Sequence, residues 1–359
     1  MSRGRFYLRA ESDEWDFIRS LEAPLPFDAA VVSDRYLPDY PEGHPRHGED
    51  RDRLIQALDA QGARWSVDPD TARLEQAKSA QRQGARAASR PLARAVALPL
   101  TAERLASDDN VDALAEAAAV HQLRSPAFAA PYLEVDGVDD MRFDVNLMLL
   151  QRSRELAGDR ALVAYLQVLA GRLLDGAAVG VARGLAENGA EVIFIRVRRF
   201  EAQHATESEV VAYADVVEAG QRAGARMVAD SVGRLGPVLV ATGADGFASN
   251  ARCFRKVPDD LHPSGGGGGA GELVWEIPGG GFATVGARPS ITCAVPECLA
   301  PAAEGDNSAV RIHNLHEFQR AARQAGAEGL GYAARLAHDS SPVVRGWARA
   351  LQLLERRAA

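Results

Sequence analysis

Polar side chains able to act as acids, bases or ligands recur at the ends of apolar segments of this chain. Carboxylates and guanidiniums in such positions can exchange protons or bind polar and charged groups. The residues concerned are Asp34, Asp68, Asp70, Glu134, Asp136, Gln167, Arg196, Asp230 and Ser231. Because loops after strands are commonly polar whatever their function, the set as a whole, and no single member, predicts a site.

The apolar segments before these residues alternate with helical patterns, which is typical of repeated strand-then-helix units. The candidate strands are 29–33, 63–67, 95–98, 132–135, 162–166, 192–197, 227–229, 238–241 and 246–248. About eight strands over about 220 residues predict an α/β fold, a (β/α)8 TIM-type barrel, whose strand ends converge on one mouth. A doubly wound open sheet is the alternative.

Composition changes divide the chain into three parts. Residues 1–262 are the predicted barrel, and residues 263–271 are a glycine-rich linker that includes Gly265 to Gly269. No Lys-Ser or Lys-Thr follows these glycines, so a flexible linker is favoured over a phosphate-binding loop. Residues 272–359 are predicted to form a small C-terminal helical subdomain, with a β-hairpin around glycines 279–281 and helices from Leu315 onwards.

The bulk properties are those of a globular protein of 359 residues with a formal net charge of −8. An acidic chain shows no overall basic field of the kind that attracts nucleic acid, although a local patch remains possible. No apolar run reaches roughly 18 residues, so no membrane partner is expected. Three cysteines and a charged N-terminus without an apolar signal core predict a cytoplasmic protein without a disulfide scaffold.

Cys293 and Cys298 precede His313-Asn314-Leu315, and a helix is predicted to start at His316. This order resembles the zinc subdomain of the tRNA-guanine transglycosylases, the superfamily of queuine and archaeosine transglycosylases. The family has Cys-x-Cys-x-x-Cys before the His, and here Val295 stands at the middle position. The resemblance implies Cys293, Cys298 and His313 as zinc ligands.

A structural zinc site needs four ligands, and the fourth would have to be His316 or Glu297. The alternative is a packed vestige of the subdomain with buried thiols and no metal. No other cofactor is expected.

Upstream strands can be compared with the same family. Asp68 matches an Asp that acts as general acid or base, and Gln167 matches a Gln that hydrogen-bonds the purine-like base. The glycines that accompany both residues in the family are missing. Arg196 replaces a Gly-Gly-Leu backbone contact, so it would enter the base pocket or bind an anion. Glu134 is a further candidate ligand of the substrate, and Arg252 lies near a family Arg.

The stretch Gly243 to Ser249 resembles the family's Gly-Val-Asp-Met-Phe-Asp-Cys, whose second Asp is the nucleophile that attacks the ribose. Ala248 stands in that position. A methyl group cannot act as a nucleophile, so the covalent route is closed unless Asp245 or Asp230 serves instead.

Three functions follow from these patterns. The first is a divergent transglycosylase-like protein that binds a guanine-type or deazaguanine-type base, or nucleic acid that carries it, as an accessory to a catalytic partner subunit or as a homodimer. If it is an enzyme, this reading makes it a base-exchange transferase. The second is a barrel enzyme of another class that uses Asp68, Glu134, Arg196 and Asp230. The third is a non-catalytic interaction protein.

Overall fold

A computed structural model describes residues 4–10, 14–34, 49–75, 91–250, 273–276, 281–284, 307–339 and 341–359. Eight parallel strands form a nearly closed barrel with helices between them, which confirms the (β/α)8 prediction. The strands are β1 (Arg5–Ala10), β2 (Ala29–Ser33), β3 (Trp65–Asp68), β4 (Ala127–Ala129), β5 (Ala161–Leu169), β6 (Val192–Arg198), β7 (Arg226–Asp230) and β8 (Gly246–Ser249). Their order is β3-β2-β1-β8-β7-β6-β5-β4. The carboxyl ends of these parallel strands define one mouth of the barrel.

Helices cover the outside of the sheet. They are Trp15–Arg19, Glu49–Ala60, Pro91–Ala95, Ala102–Leu105, Asp108–Val120, Met141–Ala157, Ala170–Leu174, Ala177–Glu187, Glu207–Arg222, Gly236–Ala241, Asn307–Glu328, Ala333–Leu336 and Pro342–Ala358. Short 3₁₀ turns occupy Thr71–Glu75, Ala202–His204, Gly233–Leu235 and Gly329–Tyr332. Within the described ranges, no helix is both long enough and apolar enough to cross a membrane.

The strands β3 and β4 share no ladder in the described part of the chain. Side-chain hydrogen bonds bridge this gap in the barrel instead. Ser125 Oγ donates to the Trp65 carbonyl oxygen at 3.2 Å. Thr71 Oγ1 donates to the Tyr132 carbonyl at 2.6 Å and accepts from the Tyr132 amide at 2.7 Å. These contacts bring the chain after β4 against the chain after β3, next to the mouth.

Gly246 allows β8 to approach β1 closely. A Cβ atom on Gly246 would lie 2.5 Å from the Arg5 carbonyl oxygen, closer than any side chain tolerates. Ala248 lies in register with Tyr7 on β1 and with Asp230 on β7. The backbone of this stretch is therefore a central barrel strand.

Three candidate strands were wrong in detail. Residues 238–241 lie in the buried helix Gly236–Ala241, because a short helix that is apolar on all sides gives the same pattern as a buried strand. Residues 95–98 start at the last residue of the helix Pro91–Ala95 and pack in a satellite cluster. Residues 132–135 lie beyond β4, which ends at Ala129.

The strand β1 was not among the predicted ones. Its sequence alternates Arg5, Tyr7 and Arg9 with Phe6, Leu8 and Ala10. The burial of every second residue is the period-2 pattern of a strand, but the two arginines make the segment polar on average.

The C-terminal helices pack in the same core as the barrel. The Phe318 ring lies 5.3 Å from the Phe6 ring and 5.6 Å from the Phe247 ring. Trp347 Nε1 donates to the Ala205 carbonyl at 2.8 Å. The predicted hairpin is present as an antiparallel pair, Leu273–Glu276 with Gly281–Thr284. The boundary at residues 263–271 lies outside the described residues.

Candidate functional site

One face of each strand lines the barrel interior, where its side chains form two layers. The lower layer is apolar and aromatic, and it includes Tyr7, Val31, Val163, Tyr165, Phe194, Val228 and Ala248. Two residues further along these six strands, counted on β5 from Tyr165, the side chains are polar: Arg9, Ser33, Gln167, Arg196, Asp230 and Asn250. Because all the strands run in the same direction, this second layer lies at the mouth.

The polar layer contains a buried central network, made of Arg9, Asp68, Asp70, Arg196 and Asp230. Arg196 donates to Asp230 Oδ2 at 3.1 Å, to Asp70 Oδ1 at 3.2 Å and to Asp68 Oδ2. Arg9 donates to Asp68 Oδ2 at 2.8 Å and to both oxygens of Asp230. The two guanidiniums thus hold three carboxylates from two strands and one turn.

Asp68 accepts a full set of hydrogen bonds in this network. Besides the two arginines, the Asp70 amide donates to Oδ1 at 2.9 Å and the Tyr132 hydroxyl donates to the same atom at 3.0 Å. Burial alone would raise the pKa of Asp68, but the guanidiniums of Arg196 and Arg9 outweigh burial and hold the pKa below its usual value. Asp68 is therefore a carboxylate at neutral pH and has no proton to donate.

Asp230 is held in the same way. Arg9 binds it through both oxygens, Arg196 donates to Oδ2, and the hydroxyl of Ser231 donates to Oδ1 at 3.2 Å. A carboxylate whose lone pairs are all engaged by two guanidiniums and a hydroxyl is a poor nucleophile, since attack requires it to give up one of these bonds. The catalytic role predicted for Asp230 is not supported by this geometry.

A second group, the rim cluster of Glu134, Gln167 and Arg198, lies above the central network. Arg198 binds the Glu134 carboxylate through Nε and Nη2, and Gln167 Nε2 donates to Glu134 Oε2 at 3.2 Å. The Glu134 and Arg198 side chains are each 12% exposed, whereas those of Asp68 and Asp230 are fully buried. Solvent thus reaches the rim cluster but not the two carboxylates of the central network.

Glu75 lies against the rim cluster in surroundings that change its pKa. The Glu134 amide donates to Glu75 Oε2 at 2.8 Å. Burial raises the pKa of Glu75 to about 7, although this hydrogen bond and Arg142 oppose the change. A carboxyl with such a pKa can both give and take a proton at neutral pH.

Tyr165 lies between two rings in the lower layer. Its ring centroid is 4.8 Å from that of Tyr132 and 5.2 Å from that of Phe194, with nearly parallel planes. The guanidinium carbon of Arg196 is 5.2 Å from the same centroid. The Tyr165 hydroxyl is buried and has no hydrogen-bond partner in the described part of the chain.

Backbone strain is concentrated at the mouth. Asp70, Arg199 and Ser231 have φ angles of 53°, 59° and 60°, and they are the non-glycine residues with positive φ in the described ranges. They follow β3, β6 and β7, the strands that carry Asp68, Arg198 and Asp230. Left-handed backbone at non-glycine residues costs about 1–2 kcal/mol each and tends to cluster at functional sites.

Asp245 does not join this site. It precedes β8 and therefore lies at the amino end of the barrel, opposite the mouth. Its carboxylate accepts from the Met227 amide at 2.9 Å and from Gln221 Nε2 at 3.2 Å. The prediction that Asp245 could replace the missing nucleophile is corrected on these grounds, because the side chain fixes the start of β7 instead.

The predicted zinc site is only partly described. Cys293, Cys298 and Arg252 lie outside the described residues, and so does Glu297. His313 is a buried residue within the helix Asn307–Glu328, which begins earlier than the predicted start at His316. No three His, Cys, Asp or Glu side chains are grouped to hold a metal ion in the described ranges. These ranges contain one of the three proposed ligands.

The structure brings together Asp68, Glu134, Gln167, Arg196 and Asp230, all of them predicted from the sequence. Arg9 and Tyr132 were missed. The alternation in β1 was the signal for Arg9, whereas Tyr132 reaches the site through the irregular chain after β4.

No protein-family model matches the chain, and no curated protein matches it. Among solved structures it is similar to a 2-naphthoyl-CoA reductase in complex with 2-naphthoyl-CoA, with a TM-score of 0.42 and 14% sequence identity. The match covers 69% of this chain and 48% of the reductase chain, so this chain spans about half of that protein. No function is transferred at this level of similarity.

Proposed function

We propose that this protein binds a guanine-type or deazaguanine-type base, free or within a nucleic acid, at the mouth of the barrel without forming a covalent bond to it. The register of three strands carries the proposal. Arg196, Asp230 and Ala248 lie side by side on β6, β7 and β8. Polar groups suited to recognition thus lie beside the methyl group of Ala248. This residue stands where the tRNA-guanine transglycosylases, which the sequence resembles, have their nucleophile.

The hydrogen-bonding groups of the mouth complement such a base. A guanine edge presents a ring N–H and an amino group, from which carboxylates accept hydrogen bonds. It also presents a carbonyl oxygen, to which arginine or glutamine donates. Glu134 is the most accessible acceptor, because Oε1 receives one hydrogen bond from Arg198 among the described contacts and can accept another. Gln167, beside it, supplies an amide with both donor and acceptor atoms.

The charges of the mouth favour an uncharged polar ligand over an anion. The central network and the rim cluster pair Arg9, Arg196 and Arg198 with Asp68, Asp70, Glu134 and Asp230. Arg73, outside both groups, also pairs with Asp70. Because each guanidinium is already neutralised, a phosphate would gain little electrostatic attraction there. A neutral ring with several donors and acceptors has no such disadvantage.

The same geometry argues against covalent base exchange. Asp68 and Asp230 each accept four hydrogen bonds in the central network. Neither offers a free lone pair for attack on a ribose carbon. We therefore assign the protein an accessory role, in which it presents the base or its nucleic acid to a catalytic partner subunit or acts as a homodimer.

Equilibrium dialysis with guanine and 7-deazaguanine tests the proposal, with adenine and uracil as comparison ligands. We expect both guanine-type bases to bind more tightly than the other two. Glu134→Gln should weaken guanine binding about 10-fold or more, because a hydrogen bond to a charged acceptor is worth about 1.5–3 kcal/mol. Glu155→Gln, on an exposed helix face where Glu155 pairs with Arg152, should leave binding unchanged. Equal affinity for all four bases would contradict the proposal.

A second candidate function is acid-base catalysis at the rim, and Glu75 is the observation that favours it. Its carboxyl, with a pKa raised by burial to about 7, lies beside the Glu134 carboxyl, which Arg198 binds through two nitrogens. Two neighbouring carboxyls with different proton affinities are the usual arrangement of a general acid with a general base. An activity that is lost in Glu75→Gln and follows a single titration near pH 7 in the unsubstituted protein would favour this function over simple binding.

A further inference from the structure

Arg9 fills the space between two carboxylates with a single planar group. Its Nε donates to Asp230 Oδ1 at 2.5 Å, its Nη2 to the other oxygen of Asp230, and its Nη1 to Asp68 Oδ2 at 2.8 Å. All three guanidinium nitrogens are used. The two acceptors therefore form a cradle for a flat group with N–H donors along its edges, and Arg9 occupies it.

The two arginines of the central network are not equivalent. Arg196 contacts three carboxylates and also donates to the Tyr132 hydroxyl at 2.6 Å, and its side chain is 5% exposed. Arg9 contacts two carboxylates, and its side chain is 15% exposed, the largest exposure in the central network. Without Arg9, both Asp68 and Asp230 would still be paired with Arg196. Arg9 is thus the member that can leave towards solvent.

A buried tyrosine of the layer below lies near Arg9. The guanidinium carbon of Arg9 is 6.0 Å from the Tyr165 ring centroid, and the Tyr165 hydroxyl has no partner in the described ranges. A buried hydroxyl without a hydrogen bond is costly, by about 1–3 kcal/mol. A ligand that replaced Arg9 and carried a hydrogen-bonding atom on its lower edge would remove this cost.

We infer that Arg9 is an internal occupant of a binding site for a planar amidine or guanidine group, and that the ligand of the mouth replaces it. This inference rests on the proposed function and sharpens it, because the ring N–H and amino group of a guanine are a flat pair of donors, as are two neighbouring N–H groups of a guanidinium. Arg9 then swings towards solvent while Arg196 stays in place. The chain competes with its own ligand for Asp68 and Asp230.

Guanidinium ion provides the direct probe. Arg9→Ala opens the cradle, and low-millimolar guanidinium chloride should raise the Tm of this variant by about 2 °C or more for every tenfold increase in concentration above its Kd. The same concentrations of sodium chloride should not. The unsubstituted protein should show no gain, because its own guanidinium fills the site. Arg124→Ala, which removes an exposed pair with Asp59, should show none either.

The affinity for guanine gives an independent readout. Because Arg9 no longer competes, Arg9→Ala should bind guanine at least about 10-fold more tightly than the unsubstituted protein. Folded Arg9→Ala that gains no stability from guanidinium would overturn the inference. If Arg9→Ala does not fold in buffer alone, Arg9→Lys takes its place, since an ammonium group cannot bridge both carboxylates with a planar fork. Absence of a guanidinium-specific gain in that variant would overturn the inference equally.

The two proposals fail in different ways. Suppose that guanidinium chloride raises the Tm of Arg9→Ala, but neither the variant nor the unsubstituted protein binds guanine. The amidine site then stands, and a guanine-type base is not its ligand. Suppose instead that the unsubstituted protein binds guanine, that Arg9→Ala binds it no more tightly, and that guanidinium chloride does not raise the Tm of the variant. Base binding then stands, and Arg9 has no role in it.

Discussion

Glu75 and Glu134 meet at the mouth through one hydrogen bond, in which the Glu134 amide donates to Glu75 Oε2 at 2.8 Å. The two carboxyls are neighbours in different surroundings. Arg198 binds the Glu134 carboxylate through two nitrogens, whereas burial dominates at Glu75. The site therefore places a carboxylate and a proton-exchanging carboxyl side by side.

Glu75→Gln should remove a pH dependence of stability. The pKa of Glu75 is raised from 4.5 to about 7 in the folded protein, so the folded state binds more protons between these values. The free energy of unfolding should fall as pH rises from about 4.5 to about 7, by an amount on the order of 2–3 kcal/mol. Urea unfolding at pH 5 and pH 8 should show a smaller difference for Glu75→Gln than for the unsubstituted protein. An equal difference would mean that Glu75 ionises as an ordinary carboxyl.

Asp68→Asn should be strongly destabilising, by about 3–5 kcal/mol, because it removes one partner of a buried ion network and leaves two guanidiniums with less compensation. Urea unfolding at pH 7 measures the effect. Glu218→Gln, which breaks an exposed pair with Arg222, is the matched control and should cost about 0.3–0.5 kcal/mol. Similar losses in the two variants would show that the central network adds little to stability.

Acid titration gives a separate check on Asp68. Its pKa is lower in the folded protein than the ordinary value of 3.8, so its stabilising contribution is complete above about pH 4 and is lost as pH falls below that. Between pH 6 and pH 3, Asp68→Asn should therefore lose less stability than the unsubstituted protein. Parallel acid curves would contradict the lowered pKa.

The strain at Ser231 can be measured by comparing two variants. Both Ser231→Ala and Ser231→Gly remove the hydroxyl that donates to Asp230, but only glycine relieves a φ of 60°. We expect the glycine variant to be more stable than the alanine variant by about 1 kcal/mol, after allowance for the greater freedom of glycine in the unfolded chain. Thermal unfolding of both proteins decides the sign. A more stable alanine variant would refute strain at this position.

Phe318→Ala tests whether the C-terminal helices belong to the barrel core. Phe318 is fully buried against Phe6 and Phe247, so the substitution should cost about 3–5 kcal/mol. Leu123→Ala, at a side chain that is 77% exposed, should stay within about 0.5 kcal/mol of the unsubstituted protein. A second, earlier unfolding transition with an unchanged main transition would show that these helices unfold independently of the barrel.

Much of the fold was predictable because buried parallel strands are continuous apolar runs. The bounds of β2 matched those of the predicted strand, and β6 extends the prediction by one residue. The helix Gly236–Ala241 was misread because its residues are buried on every side, which removes the helical period. The strand β1 was missed because Arg5 and Arg9 lower the mean hydropathy of the segment, although every second residue is apolar.

The site was predictable where residues follow a recognised strand. Asp68, Gln167, Arg196 and Asp230 meet because parallel strands bring their carboxyl ends to one mouth. Asp245 does not join the site because it precedes its strand and so lies at the amino end of the barrel. The pairing of Arg9 with Asp68 and Asp230 joins residues far apart in sequence, and no local pattern reports it.

Crystallography of the protein with 7-deazaguanine tests the central claim most directly. We expect the base at the mouth, with its edge within hydrogen-bonding distance of Glu134 or Gln167, and no covalent bond between ligand and protein. A base bound elsewhere, or one bonded covalently to a carboxylate of the mouth, would contradict it.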